Sequence, residues 1–344
     1  MKQLLNTLYV STEGAWLRLE GETLVVMIEK EKRLQVPLHH LGGIVCIGRI
    51  NLSTALMARC MDDGRSIVWL NENGRFQARV EGPVNGNILL RQAQYRTADD
   101  AVTSLELAQA FIAGKLRNSR QVLLRSARDS KDEKEKTALK KAADSIAINL
   151  RNLQHADSLD SVRGLEGDAA RIYFEQINRM IKPAMREDFR FDQRNRRPPR
   201  DPLNALFSFL YALLLNDCRS ALEGVGLDPQ LGFLHAVRPG RQALALDLLE
   251  EYRAVFGDRL AITLINRGQI AGKDFDFNPG GSVLLNDSGR KKLLVAYQER
   301  KKELITHPVL EQKVEIGLIP ILQARFLARY LRGDIEAYIP YLHK

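Results

Sequence analysis

The sequence predicts an α+β protein, with a small β-rich domain over residues 1–84 followed by a large all-α domain over residues 85–344. Three observations carry that division. The chain is long enough for two domains. Its first eighty or so residues hold short β-branched or alternating apolar runs, the pattern of strands half buried in a sheet. After "EGPVNGN" (81–87), whose Gly, Pro and Asn content marks a break, almost every segment has helical periodicity.

In the first part, "TLYV", "AWLRL", "LVVMIE", "RLQVPL" and "GIVCIG" read as strands, with "EGE" (20–22) as a hairpin turn. One helix interrupts them, "STALMARCMDDG" (53–64), with Ser53 as its N-cap and Gly64 as its stop. "SIVWL" returns to strand, "NENG" (71–74) turns, and "RFQARV" leads out.

In the second part, "LELAQAFIAGKLRNSRQVLLRSAR" and "EKTALKKAADSIAINLRNLQHA" form an antiparallel helix pair, with "DSKDEKEK" as a solvated turn between them. A further helix covers roughly 158–181. On it Glu166 shares a stripe with Ala169, Ala170, Tyr173 and Ile177, so its carboxylate needs a compensating charge. Asp201 caps the next helix and Pro202 occupies its first turn. "LNALFSFLYALLLNDCRSAL" is apolar nearly all round, which makes it the central helix, and "GVGLDPQLG" ends it. Its longest apolar run (206–215) is too short to span a bilayer.

The net charge of +9 favours a polyanionic partner. Cys46, Cys60 and Cys218 stand far apart in apolar settings, as free thiols of a reducing compartment do. The amino terminus has no signal-peptide pattern, so a cytoplasmic protein is expected, with no membrane partner. Phosphate-cradling glycine loops and the GxSxG elbow are absent from the sequence.

The residues with chemistry cluster around "GFLHAVRPGRQALALDLLEEYR" (232–253). Asp247 and Glu250 lie three apart on one helical face, with His235 a short loop before them. Together with Glu166 they make a donor set of carboxylates and one imidazole, suited to Mn2+ or Mg2+. "RFDQRNRRPPR" (190–200) carries five arginines on a proline-stiffened loop that could follow a phosphate backbone, Arg194, Arg196 and Arg197 among them. Arg163, Arg238, Arg241 and Arg253 stand near the candidate site, and Lys115 and Arg117 are more remote. On the residues alone, three functions remain open. They are a metal-dependent enzyme acting on DNA phosphodiesters, a non-catalytic architectural DNA binder, and a metal nuclease acting on RNA or branched DNA.

"RGLEGDAARIYF", "RRPPRDPLNALFSFLYALL", "GLDPQLGFLH" and "LALDLLEEYR", in that order, resemble the CRISPR-associated integrase-endonuclease family of spacer acquisition, and type I-C members in particular. The resemblance runs the whole length. It implies Glu166, His235 and Glu250 as ligands of Mn2+ or Mg2+, with Asp247 a further catalytic acid. Aspartate is frequent in the family where Glu250 stands. Asp168 departs from the pattern and is expected to face solvent. The resemblance assigns Arg238 to DNA, since the family often has a basic side chain there, and Arg163, Arg194, Arg196, Arg197 and Arg253 are expected to contact DNA as basic residues of the loop and of the site's surroundings. It implies a homodimer, a small ferredoxin-like CRISPR adaptation protein as partner, and an N-terminal domain serving dimerisation and partner contact. The DNA would be a prespacer duplex and the CRISPR repeat, joined through the prespacer 3′-hydroxyl.

Overall fold

The computed structural model describes residues 5–72, 74–82 and 88–343. The domain boundary expected at 84/85, and Asn73 of the turn at 71–74, lie outside the described residues. The chain forms two compact units. The first takes in the N-terminal strands and also Asp287–Glu303 and Glu315–Gly317, which the sequence pattern assigns to the helical part.

Described in the first unit are β1 (Asn6–Val10), β2 (Trp16–Glu20), β3 (Thr23–Ile28), β4 (Glu31–Pro37), β5 (Leu41–Ile47), β6 (Asn51–Leu52), β7 (Ser66–Leu70), β8 (Phe76–Val80) and helix α1 (Thr54–Asp62). They build two four-stranded sheets, ordered β1-β5-β7-β8 and β4-β3-β2-β6. The second is a meander whose β2–β3 turn needs the positive φ of Gly21 (+56°). In the first, β5 runs parallel to both β1 and β7. Its Ile44, Val45, Cys46 and Ile47 are all buried, as an interior parallel strand requires. Parallel neighbours need a crossover, and α1 supplies it between β5 and β7. Ser53 Oγ accepts from Leu56 N (3.3 Å) to start that helix. Leu17, Leu24, Ile44, Leu56 and Ile67 meet in the core of this unit. On the helix over Asp287–Lys302, Gln298 donates to the Thr7 carbonyl of β1 (3.1 Å).

The second unit carries α2 (Ile88–Asp99), α3 (Ala101–Asp129), α4 (Glu133–Leu153), α5 (Leu159–Phe174), α6 (Ile177–Met180), α7 (Pro202–Val225), α8 (Ala243–Glu250) and α9 (Arg259–Asn266). The Asp287–Lys302 helix, α10, belongs to the first unit, and α11 (Ile319–Leu331) returns to the second. The α3–α4 connection is shorter than the charge run suggests. Asp132 caps α4 by accepting from Lys134 N (2.7 Å) and Glu135 N (3.2 Å), so "EKEK" is already helical. The helix expected over 158–181 stops at Phe174 and resumes as α6. Two short ladders add to the helical picture, β9 (Phe275–Phe277) with β10 (Val283–Leu285) and β11 (Leu304–Thr306) with β12 (Lys313–Glu315).

As expected, α7 starts at Asp201, whose side chain accepts from Asn204 N (2.8 Å), and has Pro202 in its first turn. Over its full length it is the one described helix long and apolar enough to cross a membrane, but 67% of that stretch is buried inside the protein. Its Leu203, Leu206, Phe207, Leu210 and Leu222 are fully enclosed.

Candidate active site

Glu166 lies on α5 one turn after Arg163. Ala169 and Tyr173 of its stripe are buried, while the Glu166 side chain keeps 29% of its surface exposed. Arg163 donates to the Leu234 carbonyl (2.8 Å) and pairs with Asp160 (2.9 Å), so it fastens the loop before α8 against α5. Asp168 does not simply face solvent. It accepts from Asn149 Nδ2 of α4 (2.8 Å) and pairs with Arg171 (2.8 Å).

That loop is built on Asp247, which is wholly buried. Its Oδ2 accepts from Phe233 N (2.7 Å) and Leu234 N (3.1 Å), and its Oδ1 from His235 N (3.0 Å) and His235 Nδ1 (2.6 Å). A carboxylate only accepts, so Nδ1 carries a proton, and in the neutral ring Nε2 is then the nitrogen with the lone pair. Among the described residues nothing hydrogen-bonds to Nε2. Gly232 permits the approach, because a Cβ there would stand 2.5 Å from Asp247 Oδ2 and 2.7 Å from the Ala243 backbone. Asp247 is expected from the sequence among the catalytic acids. Both its oxygens are committed to the loop, so its part is to position His235.

Glu250, at the end of α8, is 4% exposed and is flanked by two cations. Arg253 Nη1 donates to its Oε1 (2.6 Å), and Lys115 Nζ of α3 lies 2.7 Å from its Oε2. Burial alone would raise the Glu250 carboxyl, but Arg253 and Lys115 outweigh it and hold the acid well below the usual carboxylate range. Lys115 also pairs with Glu166 Oε1. One ammonium therefore joins a carboxylate of α5 to a carboxylate of α8. Periodicity could have found it, since Lys115 follows Phe111 by four residues on the buried stripe of α3.

Two buried networks support this region. Arg253 stacks on the Tyr211 ring (4.5 Å), and Tyr211 Oη donates to Asp258 (2.5 Å), whose carboxyl burial pushes up to about 6. Glu251, next to Glu250, points the other way. It accepts from Tyr338 Oη (2.5 Å), Tyr341 N (2.6 Å) and Gln323 Nε2 (3.3 Å). Burial raises it to about 8, the three donors opposing without prevailing. Asn118 of α3 donates to the carbonyls of Glu251 (2.7 Å) and Tyr341 (2.8 Å), closing that network.

The arginines divide into two groups. Arg194 donates to Asn204 Oδ1 (2.6 Å) and Ser208 Oγ (3.2 Å) and lies 5.3 Å from the Tyr211 ring centroid, so it holds its loop to α7 instead of facing outward. Arg253 is likewise engaged within the protein, and Arg163 holds the Leu234 carbonyl. Arg196, Arg197 and Arg238 are exposed, with no ion pair among the described residues.

Among the described residues, no three of His, Cys, Asp and Glu stand close enough together to hold a metal ion. The donors nevertheless fit one. Glu166 and Glu250 share the Lys115 ammonium, His235 on the loop before α8 has no hydrogen bond at Nε2 among the described residues, and the buried Glu250 Oε2 has no hydrogen bond, only the Lys115 charge beside it.

A family model described as CRISPR associated protein Cas1 matches residues 8–299. A CRISPR-associated endonuclease Cas1 of Moorella thermoacetica is 52% identical over 344 residues, covering all of both chains. Among solved structures, a casposase bound to integration product aligns with a TM-score of 0.84 at 23% identity, over 99% of this chain and 95% of that one. A Cas6-RT-Cas1–Cas2 complex aligns with a TM-score of 0.83 at 22% identity, over 99% of this chain and 36% of the other. At those identities the two structural likenesses concern the fold.

Proposed function

The chain belongs to the Cas1 family of CRISPR-associated proteins, and from that premise we propose that it is a metal-dependent DNA integrase-endonuclease of spacer acquisition. The observation that carries the reading is the Asp247 clamp. It fixes the His235 ring with Nε2 left without a hydrogen bond among the described residues, and α8, which carries Asp247, also carries Glu250 of the lysine-bridged pair Glu166 and Glu250.

Glu166, His235 and Glu250 would hold Mn2+ or Mg2+. The bound ion would supply Lewis-acid polarisation of the phosphate and charge neutralisation. The protein's own groups do the rest. Asp247 holds the His235 Nδ1 proton and fixes the ring. Arg253 and Lys115 keep Glu250 ionised, so it can serve as a ligand without first losing a proton. Arg196, Arg197 and Arg238, exposed and unpaired, suit contact with DNA phosphates.

In the joining step a prespacer 3′-hydroxyl oxygen attacks a phosphodiester at the repeat boundary. One P–O bond forms as the bond from that phosphorus to the 3′ oxygen of the nucleotide flanking the repeat breaks. The attacking hydroxyl gives up its proton and the departing oxygen takes one up, so the number of phosphodiesters is unchanged. Water as the attacking group gives strand cleavage.

The protein would act as a homodimer in the cytoplasm with a small ferredoxin-like adaptation protein, its β-rich unit serving dimerisation and partner contact. Support for such a partner comes from the structurally similar chain, which is part of a complex with Cas2.

The test uses purified protein, Mn2+, a supercoiled plasmid carrying the repeat array, and short duplex DNA with 3′-hydroxyl ends, with and without the partner. Covalent joining that disappears in Glu166→Ala is expected. Cleavage without joining would reduce the reading to a nuclease, and binding equal in both proteins without chemistry would overturn it.

A further inference from the structure

Lys115 has a place in this site that the reaction above does not use. Its side chain is 12% exposed, lies 2.7 Å from Glu250 Oε2 and pairs with Glu166 Oε1. For Glu166 it is the only charged or hydrogen-bonding partner among the described residues. Two carboxylates from different helices repel each other when drawn together, and the ammonium between them removes that repulsion.

We propose that Lys115 is a built-in stand-in for the metal, which assembles the two carboxylates before loading and is displaced from them when a divalent cation binds. The inference rests on the metal-dependent reading of the same site. Ammonium and metal ion seek the same oxygens, so binding of one excludes the other and the two compete as linked ligands. Lys115 is thus a positioning residue. It holds the Glu166 and Glu250 carboxylates of α5 and α8 around one cation, and it sets a threshold of metal concentration below which the site stays closed by its own side chain.

The test compares the full-length protein with Lys115→Met, using manganese chloride alone as probe. Calorimetric titration measures metal affinity, and thermal unfolding is followed in EDTA and in saturating Mn2+. Removing a competing cation should tighten Mn2+ binding by about tenfold. The variant should melt below the wild type in EDTA, where Glu166 loses its one ion pair among the described residues and Glu250 keeps only Arg253, and the deficit should vanish in saturating metal. Lys115→Arg, which keeps the charge, should restore wild-type affinity. If Lys115→Met does not fold, Lys115→Gln carries the same expectation with a hydrogen-bonding side chain in place of the charge.

An unchanged or weaker affinity, or a melting deficit equal with and without metal, would overturn the inference while leaving the metal-dependent reading intact. If neither protein bound Mn2+, that reading would fail and the inference with it. Binding by the variant alone would support the inference.

Discussion

Replacing Asp247 by Asn tests the clamp that presents His235. The carboxylate accepts from three backbone amides and the imidazole Nδ1, at 2.6 to 3.1 Å, and is fully buried. An amide keeps one acceptor oxygen and turns an NH2 group toward whichever pair of donors faced the other. Two buried donors are then unsatisfied, at about 1–3 kcal/mol each, for a loss of about 2–6 kcal/mol. Against a total stability of about 5–15 kcal/mol this is a large fraction. Where the NH2 falls on the His235 side, the ring also loses its anchor, and Mn2+ affinity should drop by about 10- to 100-fold. Urea unfolding in EDTA measures the first effect and calorimetric titration with Mn2+ the second. If the midpoint and the affinity both matched the wild type, Asp247 would not be what holds the loop.

Four further outcomes follow from the same geometry. Gly232→Ala should disturb the clamp from the other side, because the added methyl meets Asp247 Oδ2 at 2.5 Å; Mn2+ affinity and urea midpoint should fall together, and an unaltered pair would contradict the close approach. Glu251, raised from 4.5 to about 8, keeps a proton in the folded state that the unfolded chain releases. Its contribution to stability is complete below about pH 4.5 and is lost as pH rises to about 8, by up to about 5 kcal/mol. Glu251→Gln should flatten that part of a stability–pH profile measured by urea unfolding in EDTA; an identical slope would refute it. Arg196→Ala, Arg197→Ala and Arg238→Ala should each weaken DNA binding and lower its salt dependence by about one unit of slope, at unchanged melting temperature. Arg194→Ala should instead lower the melting temperature, since that side chain is bound to Asn204 and Ser208.

Elements whose signals are local were legible in the sequence. Ser53 and Asp201 cap α1 and α7 where expected, because a cap is a contact over three residues. The parallel β1–β5–β7 order was not legible, since period-2 patterning specifies a face and not a neighbour. The same limit explains α10, whose periodicity marks a helix but not the unit it joins.

For the site, residue types pointed to Glu166, His235 and Glu250, and the structure joins the two carboxylates through Lys115 while His235 is held by Asp247. The different parts of Asp247, Arg194 and Arg253 were hidden. Whether a charged side chain meets solvent or a buried partner depends on residues far away in sequence, such as Ser208 for Arg194 and Tyr211 for Arg253. Lys115 carries the same local signal as Glu166, a charge on an apolar stripe, but nothing in the stripe of α3 names the acids that it meets on α5 and α8.

The consecutive pair Glu250–Glu251 is a lesson in how a helix sorts identical monomers. One residue advances the backbone by about 100°, enough to aim the first carboxylate at Lys115 and Arg253 and the second at Tyr338 and Tyr341. The first is a permanent anion, and the second is an uncharged acid at neutral pH. A one-residue deletion before Glu250 in α8 would leave the composition of this segment almost untouched and yet carry Glu251 into the place beside Lys115 and Arg253, with Tyr252 in the place that Glu251 had.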